Sequence, residues 1–321
     1  MTAQRATIAI VLATLGLAAG VRAQQPPPTA AEEAPQPPLR GQVEGLFAAA
    51  CDYRLSRDRR QQASERLVEL GPQVLPILLE RLGTSDPQER MGLNSIVPLF
   101  GGAAAPGLIK ALEDPGTDMV ARRWAAYLLA EVRDPAAVEP LLRQASTEDW
   151  HLRLYIAYAL GRLGDERAGD ALVTLLGDPN ANVRRSAALA LTQVKAPQAV
   201  PALAKALSDA HYGTRRGAAV ALTTRAAEGV EALLRALDDS GGEVRFAALE
   251  ALARCTDERV LPALTKALDS DDWADRGGAA AALGTRGDKA ALPALQAALR
   301  REKQPYARAR MTAAVQLLAR K

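Results

Sequence analysis

The side chains that most often carry chemistry are few in this chain and widely scattered. Two histidines, His151 and His211, and two cysteines, Cys51 and Cys255, are all that could bind a soft metal or pair as nucleophile and base. No two of them stand at the short spacings of a zinc site. No Gly-x-x-x-x-Gly-Lys stretch offers backbone N–H groups to a phosphate. Carboxylates are plentiful, but they fall in short turns ahead of apolar runs, where helix capping accounts for them. No catalytic group, metal or organic cofactor is expected.

Binding chemistry is easier to find. Of twelve aromatic residues, five lie between 124 and 158: Trp124, Tyr127, Trp150, Tyr155 and Tyr158. Trp124 and Tyr155 are 31 residues apart, and so are Tyr127 and Tyr158. Rings that face a groove are common anchors for a partner, while rings that fill space between helices belong to the core. Both readings stand at this point. Arg123, Arg185 and Arg216 add an intermittent basic stripe, which surface solvation would also explain.

The spacing of 31 leads back to the elements. Arginines followed seven positions later by Leu (once by Val97) occur at Arg60, Arg90, Arg122, Arg153, Arg184, Arg215, Arg245, Arg276 and Arg310. Their separations are 30, 32, 31, 31, 31, 30, 31 and 34, which marks an internal repeat of nine units over residues 41–321. Around each arginine, apolar residues fall at offsets −1, +3, +7 and +10 (Val183, Ala187, Leu191, Val194), one face of a helix. Gly164 or Gly287 then ends it, and Asp134-Pro135 or Pro197 opens a second helical stretch. Pro76, Pro106, Pro140, Pro201, Pro262 and Pro293 sit near the first turn of that stretch, where a missing N–H does little harm. Cys255 fills the offset held by Val132, Leu163 and Val194, so packing accounts for it.

Pro in the first helix, Asp in the turn, then Val-Arg-x-x-Ala-Ala-x-Ala-Leu in the second resembles the HEAT repeat, in its short, Ala-rich, phycobilisome-lyase-type form. The resemblance implies an all-α, right-handed superhelical solenoid of about nine helix pairs, with second helices lining a concave groove. It also implies a ladder of turn aspartates and following arginines; Asp178/Arg184, Asp209/Arg215 and Asp239/Arg245 keep the spacing, so the ladder is expected in the central to C-terminal repeats. Its expected role is to satisfy N–H groups at helix starts. Offsets +2 (Trp124, Tyr155) and +5 (Tyr127, Tyr158) lie opposite the apolar face, toward the groove. Trp150, Tyr212 and Trp273 share offset −3 and are expected to staple helix starts. HEAT-based iron hydroxylases need His-Glu pairs, and neither histidine here is followed by Glu.

Composition sets the remaining bounds. Apolar residues make up 48% and aromatics 4%, so the core must be Ala, Leu and Val. The net charge of +3 falls to +1 without residues 1–23, too little for bulk nucleic-acid binding. Arg5, the apolar run Ala6–Gly20 and Val21-Arg22-Ala23 form a signal peptide, with cleavage before Gln24. The run is short of the roughly 20 residues needed to span a bilayer, and no later segment of spanning length is expected, so no membrane insertion should follow cleavage. Residues 24–40 read as a Pro/Gln-rich disordered leader. In a repeat array Cys51 and Cys255 lie too far apart to pair. The expected protein is a periplasmic or secreted monomer, non-enzymatic, that holds an unidentified protein partner in its groove. Trp124, Tyr127, Tyr155, Tyr158, Arg123, Arg185 and Arg216 are its candidate contacts. A carbohydrate or small-ligand binder is the alternative, and a lyase-like enzyme the third.

Overall fold

The computed structural model describes residues 38–320. The expected signal segment, its cleavage site and nearly all of the expected leader lie outside the described residues. Helix α1 opens at Leu39, two residues ahead of the expected start of the array.

Eighteen α-helices follow one another, with no strand among the described residues. They form nine pairs, as the nine arginines require. The first three are α1 (Leu39–Cys51) with α2 (Arg57–Glu69), α3 (Leu75–Leu79) with α4 (Pro87–Ile96), and α5 (Ala105–Glu113) with α6 (Met119–Val132). Next come α7 (Val138–Arg143) with α8 (Trp150–Leu163), α9 (Gly169–Leu175) with α10 (Ala181–Ala190), and α11 (Val200–Ala206) with α12 (Tyr212–Ala221). The last are α13 (Ala226–Ala236) with α14 (Gly242–Leu252), α15 (Val260–Ala267) with α16 (Trp273–Arg286), and α17 (Leu292–Arg301) with α18 (Pro305–Arg320).

Local chemistry sets these boundaries. Pro76, Pro106, Pro201 and Pro293 take the second position of their helices, where the N–H has no partner in any case. Asp86, Asp118, Asp149, Asn180 and Asp272 cap the second helices, each accepting an N–H from the turn it opens. Gly164 and Gly287 leave their helices in the left-handed conformation, at φ 69° and 74°.

The core follows the repeat. Val183 and Ala187 in α10, and Leu191 at its C-cap, are fully buried. Successive second helices pack on one another from α6 through α18. Small residues allow the approach: a Cβ on Gly161 would lie 2.7 Å from Ala190 of the next second helix. Cys51 and Cys255 are both buried and free.

Two expectations need correction. In the ninth pair Arg308, not Arg310, takes the place of the repeated arginine. Ala307, Met311 and Leu318, at its offsets −1, +3 and +10, are buried, whereas Ala309, Ala313 and Leu317, which Arg310 would place in the core, are exposed. Alanines on several faces of this helix hid its register. Residues 87–113, moreover, are long and apolar enough to pass for a membrane span by length and composition. The backbone turns sharply at Gly101 (φ 53°, ψ −142°), and the stretch folds as α4 and α5 against α1 and α6.

Candidate partner-binding surface

The second helices carry two side-chain systems: arginine rungs at their starts and an aromatic cluster opposite their buried face. Arg184 shows the rung. Its Nη1 donates to the Asp178 and Pro179 carbonyls of its own turn (2.9 and 3.1 Å). Its Nε and Nη2 grip both carboxylate oxygens of Asp209 in the next turn (2.7 and 3.0 Å). Arg153, Arg215 and Arg276 do the same on Asp178, Asp239 and Glu302.

The rungs therefore join neighbouring repeats, and Asp178 pairs with Arg153, not with Arg184 as the resemblance implied. Asp178, Asp209 and Asp239 also accept the N–H two residues on, from Asn180, His211 and Gly241. They close turns; Asn180, His211 and Gly241 themselves stand at the cap positions. Such charge-assisted, paired bonds are strong. Arg276, with the neighbouring N–H donors, holds the Glu302 carboxyl down at about 2 despite burial. Burial alone would raise Asp209, but the Arg184 bond and the His211 N–H outweigh it and leave it below the usual range.

The eighth repeat lacks the turn aspartate and has Ser270 instead. Arg245 turns to Asp272 and Asp275 (2.8 and 2.6 Å). Asp275 sits at offset −1, which Val183 and Val244 fill with apolar side chains, and the Ser270 hydroxyl donates to it at 3.0 Å. Spacing could not reveal this rung, because its acid has moved five residues along the chain.

The sequence-predicted aromatic residues come together. Trp124 and Tyr127 meet edge-on with centroids 5.3 Å apart, and Tyr127 meets Tyr155 edge-on at 5.8 Å. Tyr127 and Tyr158 stack at 5.8 Å, 10° from parallel. All four rings are half-buried against the core, so they are both packing and surface. Tyr158 donates its hydroxyl to Glu131 (2.8 Å), which also meets Arg162 at 3.4 Å. Burial first, then the Glu131 bond, pushes the Tyr158 phenol up to about 12. The Nε of Arg162 is buried without a partner. Glu131 and Arg162 escaped the sequence reading, although their separation of 31 residues is the signal that found the rings.

The basic stripe is largely neutralised. Arg123 pairs with Asp149 and Arg216 with Glu243, while Arg185 is exposed and makes no ion pair among the described residues. Trp150, Tyr212 and Trp273 are first residues of their helices, one past the cap, so they cannot be staples from the preceding position. Trp150 stacks on His151, and Trp273 stands edge-on to Tyr306 at 5.4 Å. Among the described residues no group of three or more His, Cys, Asp or Glu side chains could hold a metal ion.

No curated protein matches the sequence. Among solved structures the chain is similar to YibA of Escherichia coli, at 21% identity and a TM-score of 0.59, over 87% of this chain and 97% of that one. That likeness shows the fold alone. The complex of CpcE and CpcF of phycocyanin lyase from Nostoc sp. PCC7120 aligns at 25% identity with a TM-score of 0.45, over 67% of this chain and 94% of that one. Human deoxyhypusine hydroxylase aligns at 22% and 0.36, over 88% and 97%. The profile for HEAT repeats matches residues 105–187, 170–253 and 230–316. With nine stacked helix pairs and that match over most of its length, the chain belongs to the HEAT-repeat family.

Proposed function

We propose that this protein is an exported, non-enzymatic scaffold that grips a protein segment on the face of its second helices. The observation that carries this reading is the connected cluster of Trp124, Tyr127, Tyr155 and Tyr158, half-buried on one face of two adjacent repeats. Rings already fixed by one another lose little freedom when a partner covers them, which makes them efficient anchors. Arg185, exposed and without an ion pair among the described residues, supplies a cationic contact one repeat further on. A photo-crosslinker at position 127 should trap one partner in the cell envelope, and the Tyr155→Ala variant should lose it. Trapping that survives Tyr155→Ala would remove the cluster from the site. Export is tested separately: protein recovered from periplasm or medium should begin at Gln24, and a start at Met1 would overturn cleavage there.

The near-parallel stack of Tyr127 and Tyr158 beside the Glu131–Arg162 pair also suits a sugar ring, whose apolar face stacks while its hydroxyls meet charged groups. Saturable binding of soluble glycans, lost in Tyr158→Ala, would favour that reading over a protein segment.

A further inference from the structure

Three repeats beyond the aromatic cluster, α14, α16 and α18 bound a cavity of about 360 Å³. It exists because small residues replace rings: offsets +2 and +5, held by Tyr155 and Tyr158 in the fourth repeat, are Gly278 and Ala281 in the eighth. Phe246 completes an apolar floor, and Glu250, Arg254 and Arg310 bring charge to the lining.

Arg310 is the informative side chain. Its guanidinium lies 5.1 Å over the ring of Tyr306, which itself stands edge-on to Trp273. A cation ordered by a ring, with no acid on it, is already positioned and keeps its N–H donors open. Arg254 makes no ion pair either among the described residues, and Glu250, one turn before it on α14, is the only acid in the lining. The groove thus pairs an apolar floor with an excess of positive charge. A dianion would meet Glu250 unfavourably, whereas a monoanion with an apolar body matches both features.

We infer that this groove holds the C-terminal residue of a polypeptide. Its apolar side chain rests on Phe246 and Ala281, and its terminal carboxylate meets Arg310 and Arg254. The cavity is at the small end of ligand sites, large enough for one residue and not for a long chain. A planar carboxylate fits the paired donors of a guanidinium. The inference stands beside the proposed role of the aromatic cluster and does not rest on it.

The test is a titration of the isotope-labelled mature protein with the pentapeptide Ser-Gly-Ser-Gly-Leu, once with a free C-terminus and once as its amide, followed by NMR. The free acid should shift the Phe246 and Ala281 signals saturably, with the amide weaker by about tenfold or more. Arg310→Gln should weaken the free acid by about tenfold, and Ala281→Leu should fill the floor and remove binding. Glu250→Gln should tighten binding, a gain that damage to the fold would not produce. Equal binding of acid and amide, or octanoate matching the peptide, would overturn the inference. Shifts confined to Tyr127 and Tyr158 would also overturn it, while leaving the proposed function in place.

Discussion

Arg90 and Arg184 occupy the same position in their repeats and are held by different partners. Arg184 lies between its own turn and the carboxylate of the next repeat. Arg90 has no such acid and lies 6.0 Å over the ring of Trp124, while Arg60 lies 4.6 Å over Tyr53 and Arg122 donates to the Leu112 carbonyl and the Gln144 amide. The first three repeats thus hold their arginines with rings and amides, and the fourth to eighth with carboxylates. An exposed cation–π contact contributes about 0.5–1 kcal/mol, and a hydrogen bond to a charged group about 1.5–3 kcal/mol. The C-terminal stack should be the stiffer part. The aromatic cluster sits where the two regimes meet, so Trp124 serves both the stack and the surface. That dual service explains rings that are neither buried nor free.

The sharpest test of this stack is Leu191→Asp. Leu191 is fully buried where second helices meet, and an unpaired charge there should cost about 4 kcal/mol or more. Circular dichroism melting should show the central repeats unfolding early, and a variant melting like the parent would break the assigned helix face.

Breaking one arginine in each region comes next. Arg184→Met leaves Asp209 half-buried without its cation and should cost about 2–4 kcal/mol. Arg90→Met loses only a ring contact and should cost under about 1 kcal/mol. Equal losses in chemical denaturation would erase the distinction between the regions.

Glu302 adds a pH dependence. Its folded pKa is depressed to about 2 from an ordinary 4.5, so its pair with Arg276 stabilises fully above the ordinary value and is lost as pH falls toward 2. Glu302→Gln should therefore cost about 2–3 kcal/mol at neutral pH. The difference from the parent should shrink below about pH 4. A difference that stays constant down to pH 2 would mean the pair contributes packing and not charge.

A further effect concerns the cluster. Tyr158→Phe keeps the stack on Tyr127 and loses only the bond to the Glu131 carboxylate, for about 1.5 kcal/mol. In the parent, ultraviolet titration should find one tyrosine ionising near 12, and that step should vanish in the variant. An unchanged titration would assign the late step to another ring.

The order of residues along the chain was enough to specify the repeat, the nine helix pairs, the buried offsets and the placing of Pro, Asp and Gly at helix ends. These are local matters: a period of 3.6 and the conformational limits of single residues act over a few positions. It also brought Trp124, Tyr127, Tyr155 and Tyr158 together, because residues at equal offsets in adjacent repeats become neighbours when repeats stack. The packing of one repeat on the next was needed to reveal that Asp178 belongs to Arg153, that Asp275 replaces a missing turn acid, that Glu131 ties down Tyr158, and that Arg308 carries the ninth register. Each depends on how far one repeat is rotated and translated onto the next. That relation is set by close packing of Ala and Gly surfaces such as Gly161 on Ala190, and by which acid an arginine can then reach.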